Sequence, residues 1–371
     1  MNVDADRLRW TPSFGPEHPA GHGPMEWDFV LSGTQIAAAS PVIYPMHRGA
    51  EKLFESRDYR QALMLANRHD WHSASGSELG LALTIESMLG IVVPQRATWI
   101  RTLLSELSRA IHHVRWLGET ARELGEESLA ESAKTIRERL IDTQEEFAGG
   151  RMHTMIVQPG GLREDCPPDW TTTVRTVAKA AAQIAPQLSE WVRHDERLAG
   201  VATLSEQDAI AYGASGPVAR ASGLSLDLRF DSAYCAYPEL IEAKILRRIV
   251  RTAGDTQARL VVISDEFAVA LDCIVECANR LDALTDGPVS VRLPRSLRLP
   301  EGAGYGWTEN PTGINGWYVV SRGAIEPYRL KIRSASFGNA QAASAAVIGE
   351  SYERFPIALM SFLVVAGDLA K

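Results

Sequence analysis

The segment "PQRATWIRTLLSELSRAIHHVRWLG", beginning at Pro94, sets Ile100, Leu103, Leu104, Leu107, Ile111, Val114 and Leu117 at steps of three and four. A stripe that broad predicts a helix buried along most of its length, because a surface helix needs only one apolar face. Pro94 suits a first helical turn, and Gly118 or Gly125 suits its end. A buried helix must be surrounded. The same period runs through "RGAEKLFESRDYRQALMLANR" and "SELGLALTIESMLGI" before it. Further helical stretches are expected over about 128–148, 172–198 and 237–287, and together they predict a helical bundle.

The period changes near both ends. "EWDFVLSGTQIAAASPVIY" alternates and carries a Ser-Gly break, the pattern of an antiparallel hairpin, and "GWYVVSRG" with "PYRLKIRS" reads as a second one. A last helix-like stretch runs from about residue 340. "GGRMHTMIVQPGGLREDCPPDW" and "GASGPVARASG" hold too much glycine and proline to continue a helix and mark loop crossings. The expected class is α+β: a central helical bundle with small antiparallel β elements near the N- and C-termini. The expected divisions are residues 1–50, 51–290 and 291–371.

Charge and cysteine content narrow the function. With 38 basic and 46 acidic residues the net charge is −8, and no block of Lys and Arg interrupts the chain, so nucleic acid is not expected as a partner. The longest apolar run, "IALMSFLVVA", is half of the ~20 residues that cross a bilayer. "MNVDADRLRW" lacks the apolar centre of a secretion signal, which predicts a cytoplasmic location. Cys166, Cys235, Cys273 and Cys277 form no C-x-x-C pair. Cys273 and Cys277 lie one turn apart in "EFAVALDCIVECANRL", where they are expected to pack as small hydrophobes. No metal or iron–sulfur site is expected on this chain alone. A G-x-G-x-x-G loop is also missing, so no dinucleotide site is expected.

The loop "FGPEHPAGHGPM" raises a chemical question. On a helix, His18 and His22 would share a face and suggest a metal pair, but Pro19, Gly21, Gly23 and Pro24 forbid that helix. The two imidazoles are therefore placed singly, either as surface residues of a turn or as one functional group held by a stiff loop.

The ordered set "GPEHPAGHG", "HRGAEK", "PQRATWIRTLLSELSRAIHHVRWLG", "GGRMHTMIVQPGG", "ARASG" and "PYRLKIRSASF" resembles the D-type, or 49-kDa, component of complex I, the NADH–quinone oxidoreductase. The resemblance runs in order from about residue 13 to the C-terminus. It extends to the related large subunit of membrane-bound nickel–iron hydrogenases and implies their fold. Nickel and iron need soft thiolates in two C-x-x-C pairs. This chain has "RHDWHSAS" and "SFLVVAGDLAK" where those pairs would stand, so hydrogen activation is not expected.

What the resemblance implies about the site is specific. His22 matches the loop histidine that bonds a quinone carbonyl oxygen. The family's tyrosine, a second carbonyl partner, is replaced by Trp71 in His69-Asp70-Trp71. An indole N–H donates one hydrogen bond but neither accepts one nor delivers a proton near neutral pH, whereas it still stacks on a flat ring. Asp142 matches an aspartate that pairs with the quinone-site histidine and holds its charge state; the competing reading is a solvated helix face. Arg48 and Glu51 are expected in the cavity wall, as an ion pair or bonded to backbone. Arg68 and Arg109 are expected to border a cluster-bearing neighbour. His112, His113 and His153 read as core or interface histidines.

The resemblance thus implies a subunit of an oxidoreductase complex that lines a quinone cavity and takes electrons from a four-iron four-sulfur cluster in a partner B subunit. A C subunit and membrane subunits are further implied partners, with nicotinamide oxidised elsewhere, at the cytoplasmic face of a membrane. The rival reading, prompted by Trp71, is a divergent hydrogenase-like scaffold or accessory protein that holds a different small molecule and reduces no quinone.

Overall fold

The computed structural model describes residues 7–15, 18, 23–43, 46–284 and 287–371. Four strands, β1 (Arg7–Trp10), β2 (Ser13–Phe14), β3 (Met25–Ser32) and β4 (Gln35–Val42), form an antiparallel sheet in which β3 pairs with the other three. Along β3, buried Met25, Trp27, Phe29 and Leu31 alternate with less buried neighbours, the two-residue period of a strand with one face on a core.

Three helices follow: α1 (Ala50–Phe54), α2 (Tyr59–His69) and α3 (Ala74–Leu89). The Asp58 carboxylate caps α2 by accepting from the N–H groups of Arg60 and Gln61, at 2.9 and 2.8 Å. Gly90 closes α3 in the left-handed region, φ 65°, with its N–H returned to the Glu86 and Ser87 carbonyls. Then come α4 (Gln95–Glu123) and α5 (Glu127–Ala148), the short antiparallel pair β5 (Val157–Gln158) and β6 (Gly161–Leu162), and α6 (Trp170–His194). Short helices α7 (Glu206–Ala211), α8 (Gly216–Ala221), α9 (Leu228–Asp231) and α10 (Tyr237–Glu242) lead to α11 (Thr256–Ala283). Helix α4 packs on α5 and α11, and α6 packs on the same two, which closes a four-helix bundle.

The C-terminal third opens with a meander, β7 (Gly302–Asn310), β8 (Gly313–Ser321) and β9 (Arg329–Arg333), laid on α3. It ends in α12 (Ala335–Ala346), a 3₁₀ turn at Tyr352–Arg354, α13 (Phe355–Ser361) and α14 (Ala366–Leu369). One large apolar core draws on all three expected divisions, through Phe14, Leu107 and Trp317 among others.

The α+β class holds, with the bundle central and the larger sheets toward the ends. Three details differ from expectation. The stretch 237–287 holds two helices, α10 and α11, with a long irregular link between them in which Lys244 and Gly254 adopt positive φ, and the Asp255 carboxylate caps α11 afresh through the Ala258 N–H at 2.8 Å. The C-terminal hairpin has a third strand, β7, whose "GAGYG" start lacks strand propensity. Its glycines are required by packing instead, since a Cβ at Gly306 would meet the Thr84 backbone of α3 at 3.0 Å. The final helix is broken after α12, where Gly349 takes φ 84°.

Candidate functional site

A cavity of about 170 Å³ lies between α4 and α5, closed by the turn before α3 and lined by several charged and aromatic side chains. That is more than the ~150 Å³ that accommodates a benzene ring. Helix α4 contributes Ser108, Ile111, His112 and Arg115, one face at steps of three and four. Helix α5 contributes Arg137, Glu138, Ile141 and Gln144 by the same geometry. Trp71 and His72 arrive on the turn between α2 and α3, and Arg151 on the loop after α5.

The rings in this cavity are ordered by stacking. Trp71 and His72 lie 3.9 Å apart between ring centroids, and His112 stacks on the buried Trp116 at 4.4 Å and 25°. The Arg115 guanidinium sits 5.7 Å from the Trp71 ring centre, and one of its NH groups is 3.2 Å from His72 Nδ1. Its one carboxylate contact among the described residues, with Glu119, is 3.9 Å long. Burial, then the like charge of Arg137, pull Arg115 down to about 10, against the opposing pull of Glu119. Arg151 is heavily paired: it meets Asp142 and Glu138 at 2.6 Å and Glu145 at 2.8 Å.

His22 lies outside the described residues, but both flanks of its loop are placed. Phe14 and His18 make an edge-to-face contact at 4.8 Å, and the His18 N–H donates to the Gly15 carbonyl. Gly23, at φ 117°, abuts Ala366: a Cβ on it would stand 3.0 Å from the alanine methyl. The next residue, Gly367, packs on the indole of Trp71, where a Cβ would stand 3.5 Å from Nε1. The exit of the histidine loop and the cavity wall are thus joined through α14.

Asp142 is 64% exposed on the solvated side of α5, with Arg151, itself a lining residue of the cavity, as its ion-pair partner. The expected ion pair between Arg48 and Glu51 does not form. Glu51 instead meets Lys331 of β9 at 2.7 Å and accepts the Ile332 N–H, while Arg48 is exposed. The reason is the reach of β9, whose edge passes Glu51. Arg68 is exposed at the end of α2, donates to the Met64 carbonyl, and shares a smaller pocket with Arg48 and His69. Arg109 cannot border a neighbour, because it is fully buried. It donates to the Glu309 carbonyl at 2.6 Å and meets Glu106 at 3.3 Å.

Arg109 belongs to a buried ionic network that the sequence does not suggest. Arg220 bridges Glu266 and Glu309, each at 2.7 Å, and Arg229 pairs with Asp227 at 2.8 Å. Burial opposes the charge on Glu266, but Arg220 and the His113 hydrogen bond outweigh it and hold the carboxyl well below its ordinary range. His113 is a core histidine, lowered by burial although Glu266 stands 3.3 Å away. His153 is also lowered, first by burial and then by Arg68. Cys273 and Cys277 are buried, and burial pushes both thiols far up, which disfavours thiolate.

Asp70 and Asp368 come together, from the two segments where the resemblance to the hydrogenases implies paired thiolates. His69 Nε2 lies 2.9 Å from Asp368 Oδ1. Asp70 receives a hydrogen bond from Asn310 at 3.2 Å and another from the His72 backbone N–H. These donors are hard oxygens and an imidazole, a poor match for the soft-ligand chemistry of nickel and iron. Burial, and then Asp368, raise Asp70 to about 7. The sign follows directly. A carboxyl raised from 3.8 to about 7 favours the folded state most below its unfolded value, and that contribution is lost as pH climbs through the folded value. Asp70→Asn is therefore expected to flatten the loss of stability between about pH 4 and 7, by on the order of 3 kcal/mol. Urea melts of both proteins across that range check it, and parallel curves would refute it.

Arg115, His72, Glu266 and Asp368 are functional-site or network residues that sequence reasoning does not single out. One signal is present: Ser108, His112 and Arg115 fall on one side of the helix at steps of three and four. Nothing local distinguishes Glu266 or Asp368, whose partners are far away in the chain.

Comparison with known proteins agrees with this fold. The family model described as the respiratory-chain NADH dehydrogenase 49-kDa subunit matches residues 123–296 and 291–371. The first of the numbered D-type chains of NADH-quinone oxidoreductase in Streptomyces coelicolor is 48% identical, covering 97% of this chain and 94% of that protein. The second such chain of Salinispora tropica is 46% identical over 97% of this chain and 92% of its own length. The D-type chain of the same enzyme in Clostridium beijerinckii is 33% identical, covering 97% and 96%. Among solved structures, a chain of the membrane-bound sulfane sulfur reductase, an archaeal respiratory membrane complex, superposes with a TM-score of 0.91 at 27% identity, covering all of both chains. The full-length match, together with a fold of bundle and terminal sheets, places this chain in the 49-kDa, or D-type, subunit family of the respiratory-chain NADH dehydrogenase.

Proposed function

We propose that this subunit forms one wall of a quinone cavity and that electrons reach the quinone from a four-iron four-sulfur cluster in a neighbouring B-type subunit. The observation that carries the reading is the junction of the loop exit at Gly23, the Ala366–Gly367 segment and the Trp71 wall of the cavity. In this reading His22 donates to a quinone carbonyl oxygen, Trp71 stacks on the ring, and Asp142 with Arg151 sets the charge at the rim. Arg48, Glu51 and Arg68 would border either the cavity or the cluster-bearing partner. A C-type subunit and membrane subunits complete the assembly, with this chain peripheral at the cytoplasmic face. No helix among the described residues is long and apolar enough to cross a membrane.

A second reading rests on two observations: Trp71 stands where the resemblance implies tyrosine, and the solved relative belongs to a sulfane sulfur reductase. In it, the same cavity serves another small molecule. Native purification followed by turnover with a soluble quinone separates the two. The quinone reading expects iron and a B-type subunit to co-purify, and Trp71→Ala to raise the KM for quinone about 3–10-fold, the worth of a lost aromatic contact. An intact, iron-containing assembly that reduces no quinone would favour the second.

A further inference from the structure

The cavity between α4 and α5 is not lined as a neutral ring alone would require. Arg115, Arg137 and Arg151 all face it. Arg137 is held by Glu138 at 2.7 Å, and Arg151 draws on Glu138, Asp142 and Glu145. Among the described residues, every carboxylate near the cavity is thereby engaged except Glu119, which stands 3.9 Å from Arg115 and is itself 36% exposed. The Arg115 side chain is 22% exposed, so it has lost most of its water without gaining a close counter-ion. Buried charge without a partner is costly unless something completes it.

We propose that the ligand of this cavity carries an anionic group, a carboxylate or an acidic hydroxyl, which pairs with Arg115 beside Trp71 and His72. The placement is specific. The guanidinium lies over the Trp71 ring, 5.7 Å from its centre, and His72 lies 3.9 Å from the same ring, so an anionic group entering from the cavity meets the N–H donors of Arg115 beside these rings. His72, 3.2 Å from the same guanidinium, adds a second polar contact there. Burial, and then the like charge of Arg137, pull Arg115 down to about 10, and a bound carboxylate would oppose that pull. This inference rests on the cavity assignment above but specifies a ligand class which that assignment leaves open.

The test uses the natively purified assembly and two probes of one skeleton, 2,3-dimethyl-1,4-naphthoquinone and 3-methyl-1,4-naphthoquinone-2-carboxylate, with affinities read by calorimetry at low and high salt. The parent is expected to bind the carboxylate about 10–100-fold more tightly than the neutral ring, the range of a charge-assisted hydrogen bond, with the preference shrinking as salt rises. Arg115→Met is expected to lower that ratio toward one, and Arg115→Lys to recover part of it. Equal affinities in the parent, or an unchanged ratio in a folded Arg115→Met assembly, would overturn the inference and leave the quinone reading standing. Binding of the carboxylate alone would support the inference against a neutral quinone. Binding of neither would overturn both.

Discussion

Quinone-linked turnover of the assembled complex is expected to fall about 10²–10³-fold when His22 becomes alanine, the usual cost of losing one oriented donor to a developing negative charge. A carbonyl oxygen that gains electron density on reduction bonds an N–H more strongly than it did before, so the donor favours electron arrival. Phe14 anchors the loop on one side through its edge contact with His18, and Gly23 anchors it on the other against Ala366. Folding should survive, because His22 sits in a glycine- and proline-rich loop whose sequence supplies little to the apolar core. His18→Ala should show the opposite balance, with turnover near the parent and a lower melting temperature, since its imidazole packs on the buried Phe14. Turnover with a soluble quinone and thermal melts of both variants measure this. Parental activity in a fully assembled His22→Ala complex would discard the histidine as a quinone partner and favour the second reading of the cavity.

Arg220→Met is expected to cost about 3–5 kcal/mol at pH 8, the range for removing one partner of a buried ion pair. The guanidinium is fully buried and holds both Glu266 and Glu309 at 2.7 Å, so its loss leaves two carboxylates short of a counter-ion. The pH dependence distinguishes this from a simple cavity. In the parent, Glu266 is held far below its ordinary value, so its contribution is present above the unfolded carboxyl value and is lost only on strong acidification. In the variant the same carboxyl is pushed upward by burial and gains from protonation. The stability gap between parent and variant should therefore narrow from pH 8 to pH 5. A constant gap in denaturant melts across that range would mean that lost packing, not unpaired charge, sets the cost.

How far the sequence reaches can be judged residue by residue. The bundle and the N-terminal hairpin are readable because their side-chain periods are local: Ile100 to Leu117 on α4 and Met25 to Leu31 on β3 each repeat within a few residues. The break at Asp255 is not, because apolar residues continue across it, while the stop comes from backbone turned at Lys244 and Gly254. Strand β7 is hidden for another reason: its glycines answer to Thr84 and Met88 of α3, residues more than two hundred positions away.

The same division holds for the site. By itself the sequence determined the α+β class, the family motifs, the stiff histidine loop, the absence of paired cysteines and the exchange of tyrosine for Trp71, because each is a matter of residue type or short spacing. Only the tertiary structure decided that Glu51 pairs with Lys331, that Arg109 lies in the core beside Glu106, and that Asp70 meets Asp368. It alone also left Arg115 facing a cavity whose nearby carboxylates are mostly engaged by other arginines. The physical reason is common to all four. The energy of a charge depends on burial and on partners brought from distant parts of the chain, and neither is encoded in the local spacing of residues.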